Sequence, residues 1–127
     1  MTEKQGKSVQ WERDHLLETA EKGQDMNNPE KGIALTFLAH TDNASVNVVE
    51  LKKGIAPHAH MEHDEVIVVM EGSGEAVVDG ETKHFGPGDV FFCPKGTYHG
   101  FNTFVKLFSV YMPFFDNDNP DRSFKSS

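Results

Sequence analysis

The sequence predicts an all-β fold, an antiparallel sandwich or barrel with one short peripheral helix near the N-terminus. Two observations carry this expectation. From Gly32 onward, short runs rich in Val, Ile, Phe and Thr alternate with Gly, Pro, Asn and Asp, the composition of strands and their turns. The runs also follow one another too closely for crossover helices, which removes a parallel βαβ sheet and leaves antiparallel pairing.

Taken in chain order, residues 1–31 read as an N-terminal arm. Within it RDHLLETAEKG (13–23) is the helix candidate, with Leu16 and Leu17 on one side, charged residues around the rest and Gly23 as a stop. Residues 32–115 read as the barrel. Its strand candidates are IALTFLAH (33–40), SVNVVEL (45–51), EVIVVM (65–70), EAVVD (75–79), TKHF (82–85), DVFFC (89–93) and FVKLFSVYM (104–112). Asp79-Gly80 between two apolar runs is the strongest hairpin signal, because a type I′ turn needs positive φ at both central residues. Gly72-Ser73-Gly74 and Gly86-Pro87-Gly88 mark further turns. EVIVVM and DVFFC are apolar almost throughout, so both faces of each are expected to be covered, one by the interior and one by a second sheet or a partner chain. The tail DNDNPDRSFKSS (116–127) lacks the apolar residues to pack and reads as disordered.

A chain of 127 residues suits one compact domain that buries about two-thirds of its surface. Its formal net charge of −8 argues against nucleic acid and anionic membranes, which select a basic footprint. No apolar run approaches a membrane span, and MTEKQGKSVQWERD has no apolar core of a signal peptide, so a soluble cytoplasmic protein is expected. The single cysteine, Cys93, precludes an internal disulfide and fits a reducing compartment.

The chemistry concentrates in PHAHMEHDEV (57–66) and PKGTYHGFN (94–102). His58, His60, Glu65 and His99 supply the imidazole nitrogens and carboxylate oxygen that a divalent first-row metal of intermediate hardness prefers. His58 and His60 stand two apart, so on a strand they share a face and reach one ion together. Glu65 lies an odd number of residues from His60, which requires a bend within Met61 to Asp64 to aim its carboxylate inward. Glu62 and Asp64 are competing carboxylates, and His63 falls at the bend, facing solvent or supporting a ligand. Three His and one Glu leave one or two coordination positions open, the mark of a catalytic centre. No Ser-His-Asp order, phosphate-binding loop or second cysteine points to another catalytic class.

The stretch GIAPHAHMEHDEVIVVMEG (54–72) resembles the first motif of the cupins, and GDVFFCPKGTYHGFN (88–102) resembles the second. Two departures stand out: only three residues separate Gly54 from His58, and Asn102 sits one place closer than usual to His99. Neither touches a proposed ligand. The resemblance implies an RmlC-like jelly-roll barrel in which His58, His60, Glu65 and His99 bind one divalent ion, Fe, Mn, Ni or Zn. Cupins include dioxygenases, isomerases, decarboxylases, lyases, storage proteins and sugar-sensing domains, so the fold alone leaves the reaction open. The expectation is a metal-dependent enzyme, a dioxygenase or oxidase or else an isomerase or lyase, acting on a chelating enol, diketone or sugar acid. Glu65 is its catalytic residue as well as a ligand, able to leave the metal and move a proton. The alternative is a non-catalytic sugar-binding or sensor module. Tyr98 and Cys93 are candidates to line the pocket. A homodimer is expected, since FVKLFSVYM and Pro113-Phe114-Phe115 offer more apolar surface than one small barrel covers.

Overall fold

The computed structural model describes residues 32–116 and 119–124. The helix expected at 13–23, and with it the arm of residues 1–31, lies outside the described residues. Everything described is strand, turn or loop. The strands are β1 Ile33–Thr41, β2 Ala44–Leu51, β3 Ile55–His60, β4 Asp64–Glu71, β5 Gly74–Val78, β6 Glu81–Phe85, β7 Val90–Cys93, β8 His99–Phe101, β9 Val105–Met112 and β10 Arg122–Phe124.

They form two five-stranded sheets, ordered β1-β2-β9-β4-β7 and β10-β3-β8-β5-β6, with every named pair antiparallel. The two sheets face each other as a jelly roll, as the resemblance implied. Alternation decides which residues fill the gap. On β9, Val105, Leu107, Ser109 and Tyr111 are buried while Lys106, Phe108, Val110 and Met112 are only partly covered. Ile67, Val69, Phe85, Phe101 and Leu107 belong to one buried apolar cluster between the sheets. Each large side chain buried there contributes about 1.5–3 kcal/mol relative to exposure.

The turn chemistry follows the sequence. Asp79 and Gly80 have φ of +52° and +82°, the paired positive values of a type I′ hairpin between β5 and β6. Gly100, directly after His99, has a different task. A Cβ there would stand 2.7 Å from the Ile55 carbonyl oxygen and 2.8 Å from the Pro57 nitrogen. Only glycine lets β8 lie this close to β3, and that approach sets His58 opposite His99 in register.

One expectation needs correction, and the structure gives two others their form. The tail from Asp116 onward is not without structure: β10 pairs with β3, setting Arg122 opposite His60 and Phe124 opposite His58. Its anchor is polar and aromatic instead of aliphatic, which is why an apolar pattern did not reveal it. The bend of Met61 to Asp64 is present, but as the link between β3 in one sheet and β4 in the other. Changing sheets, not bulging within one strand, turns Glu65 back toward His60. Finally, within the single chain β7 is covered on its inner face. As the edge strand it leaves Val90 61 % and Phe92 58 % exposed on its outer side.

Candidate metal centre

The two sheets bring the motif residues together across the gap. His58 and His60 come from β3 and His99 from β8, in one sheet; Glu65 comes from β4 in the other, where its register partners are Cys93 on β7 and Tyr111 on β9. All four proposed ligands are buried, none more than 4 % exposed. One ring nitrogen from each of His58, His60 and His99 lies within 4.8 Å of the other two.

Hydrogen bonds identify which nitrogen that is. His58 Nδ1–H donates to the Ala56 carbonyl at 3.0 Å, His99 Nδ1–H to the Thr97 carbonyl at 3.0 Å, and His60 Nδ1–H to the Asp121 carboxylate at 2.9 Å. With Nδ1 committed in every ring, the three Nε2 atoms face inward. Such outer partners fix the tautomer and ring orientation of metal-binding imidazoles.

Burial and neighbouring charge set the protonation. Burial, reinforced by His99, lowers the His58 pKa to about 3, so its ring is neutral and has a lone pair to offer. For Glu65, burial works against the anion, but the His60 and His99 rings facing it outweigh burial and hold the carboxyl well below its ordinary range. His99 moves the other way. Burial lowers its pKa, yet Cys93 and Glu65 beside the ring outweigh burial and raise it to about 10.

Glu65 Oε1 stands 3.4 Å from His60 Nε2 and 3.3 Å from His99 Nε2. Both Glu65 Oε1 and His60 Nε2 are buried without a hydrogen-bond partner. His60 Nδ1–H donates to Asp121, so in the metal-binding tautomer its Nε2 lone pair faces the Glu65 oxygen. Two buried acceptors pointing at each other are costly. A cation between them removes the cost, and two donors about 2.1 Å from one ion at a tetrahedral angle are about 3.4 Å apart. The three imidazoles therefore fit a divalent first-row metal.

A cavity partly open to solvent lies beside this cluster. His58, Glu65 and His99 line it together with Ile67, Phe101, Tyr111 and Arg122. Tyr98 and Cys93 are not on its wall. Cys93 is 2 % exposed and rests against His99, while His63 is buried, donating from Nδ1 to Asp121 at 2.8 Å and from Nε2 to the Phe114 carbonyl at 2.8 Å. Sequence reasoning missed Arg122 and Asp121, which lie in a tail read as unpacked, and assigned Tyr111 to ordinary packing. The only sequence signal was the alternation Arg122-Ser123-Phe124, three residues long and below what periodicity can resolve.

Residues 47–111 match the family of the cupin domain, and the chain belongs to that family. It is 34 % identical over 93 residues to an uncharacterized protein of Aquifex aeolicus, covering 71 % of this chain and 77 % of that one. It is 32 % identical over 71 residues to the pectin degradation protein KdgF of Dickeya dadantii, covering 54 % of this chain and 64 % of that protein. Among solved structures, KdgF from a Halomonas species is similar with a TM-score of 0.62 and 29 % identity, over 76 % of this chain and 92 % of that chain.

Proposed function

We propose that this cupin is a metal-dependent enzyme acting on a small chelating acid, a sugar acid or related hydroxy or keto acid. The observation that carries the proposal is the convergence of one buried ring nitrogen each from His58, His60 and His99, two of them 3.3–3.4 Å from Glu65 Oε1. In this reading Glu65 is the fourth ligand, and the ion supplies Lewis-acid polarisation of a bound carbonyl or hydroxyl. The similarity to KdgF, a pectin degradation protein, supports the substrate class, since pectin is a polymer of sugar acids.

The chain's own residues do the rest. Arg122 places a positive charge on the cavity wall, where it receives a substrate carboxylate. Glu65 Oε1 takes the proton from the carbon beside the carbonyl and returns it, which interconverts keto and enol forms. The Tyr111 hydroxyl interacts with Glu65 and Arg122, and burial followed by the Glu65 charge raises its pKa well above the usual value, so it stays protonated as a donor. Ile67, Phe101 and Leu107 keep bulk water from the reacting carbon.

Product analysis tests this. Protein reconstituted with Fe, Mn, Ni or Zn is incubated with sugar acids, enols and diketones, with and without O₂. Conversion of a sugar acid without O₂ is expected. Conversion only with O₂ would make the chain a dioxygenase, and tight binding with no conversion by any metal form would make it a sensor module.

The homodimer belongs to the same proposal, seated on the outer face of the first sheet. Phe115, counted as surplus apolar surface in the sequence, is 1 % exposed and absorbed by the barrel, whereas Phe114 is 38 % exposed. The outer face instead carries two apolar rows in register, Val46-Val110-Val66-Phe92 and Phe108-Val68-Val90, with Val48 beside the second row already buried against Leu38. A flat patch of this kind can pair with its own copy about a two-fold axis. Light scattering is expected to give two chains per particle, and Val90→Glu/Phe92→Glu one; a wild-type monomer across the micromolar range would refute the dimer.

A further inference from the structure

We propose that Asp121 is a positioning residue of the metal centre, coupling the docking of the C-terminal strand β10 to metal binding through His60. This rests on the reading of His60 as a ligand. Three N–H donors converge on the one carboxylate: His60 Nδ1 at 2.9 Å on Oδ1, with His63 Nδ1 at 2.8 Å and the Glu62 backbone nitrogen at 2.9 Å on Oδ2. Only a group with two accepting oxygens satisfies this arrangement; an amide would turn its NH₂ toward one of the donors.

His63 completes the clamp. Its Nδ1 faces Asp121 Oδ2 at 2.8 Å and its Nε2 the Phe114 carbonyl oxygen at 2.8 Å, which ties the carboxylate to the end of β9. With Nδ1 held on Asp121, His60 turns Nε2 toward Glu65 and the centre.

The same segment closes the site. Phe124 sits over His58, ring centroids 5.5 Å apart, and the Arg122 guanidinium lies 5.6 Å from the centre of the Phe115 ring. Residues 121–124 lie beyond the stretch 47–111 that matches the cupin domain. Undocking β10 removes the partner that fixes the His60 tautomer, and coupling of this kind is reciprocal: what strengthens metal binding when the strand is docked must strengthen docking when metal is bound.

The test titrates the full-length chain with Co²⁺, followed by visible absorption, for wild type, Asp121→Asn and Asp121→Glu. In parallel, amide exchange at residues 122–124 is measured with and without Zn²⁺. Asp121→Asn is expected to weaken Co²⁺ binding about 10–100-fold and to alter the Co²⁺ spectrum, the size of effect seen when the outer partner of a metal-bound imidazole is lost. Asp121→Glu, which keeps two oxygens, restores part of the affinity. Zn²⁺ slows exchange in β10. Asp121→Asn binding Co²⁺ within about twofold of wild type, or β10 exchange unchanged by Zn²⁺, overturns this proposal alone. A wild-type chain that binds no Co²⁺ overturns it together with the metal reading.

Discussion

Glu65→Gln is expected to lower turnover of a sugar acid about 10²–10⁴-fold, the usual contribution of a positioned general base. Glutamine has nearly the same shape and keeps an oxygen where Oε1 stands, so it can still occupy a coordination position. What it cannot do is accept a proton. Metal content should therefore fall far less than turnover, which separates the two roles assigned to this side chain. Steady-state rates and elemental analysis on the same preparation check the prediction. Full turnover with normal metal content would remove Glu65 from the chemistry and leave it a ligand only.

Chelation is expected to abolish turnover while leaving the β-rich circular dichroism intact. The barrel is expected to hold without the ion, because one apolar cluster joins strands of both sheets. The charges left behind also compensate each other: His99, with its pKa raised to about 10, holds a proton against the Glu65 carboxylate. A raised folded-state value stabilises fully below the ordinary pKa of 6.5 and fades only as pH climbs toward about 10, so at neutral pH most of that support is present. The expected loss is ligand linkage. With metal at 100 times its Kd this is about 2.7 kcal/mol. Each kcal/mol lowers the melting temperature of a domain this size by about 4–8 °C. Melting curves with and without chelator measure it, and outright unfolding of the metal-free chain would make the site structural.

How far the sequence led depended on the kind of signal each element carried. Strands β1, β2, β4 and β9 were legible because each is eight or nine residues long with a period-two pattern or a dense apolar run. The three histidines that converge were legible because an imidazole pair at strand spacing, with a third downstream, serves few purposes other than a metal. What stayed hidden depends on the opposite sheet or on the far end of the chain. The three-residue strand β8 has no period of its own and is held by Gly100 against β3. The exposure of Val90 and Phe92 follows from β7 being an edge, a property of strand order and not of local composition. Asp121 and Arg122 reach the site from a segment without an apolar face, held by hydrogen bonds that form only once His60, Glu62 and His63 are in place.

Elemental analysis of the native protein, purified without added metal, tests the central claim most directly, with His58→Ala/His60→Ala as its comparison. About one divalent first-row ion per chain is expected in the wild type, and a small residue of that in the double variant, since removing two of three convergent imidazoles leaves too few donors to hold it. Equal metal content in the two proteins would contradict the assignment of the centre.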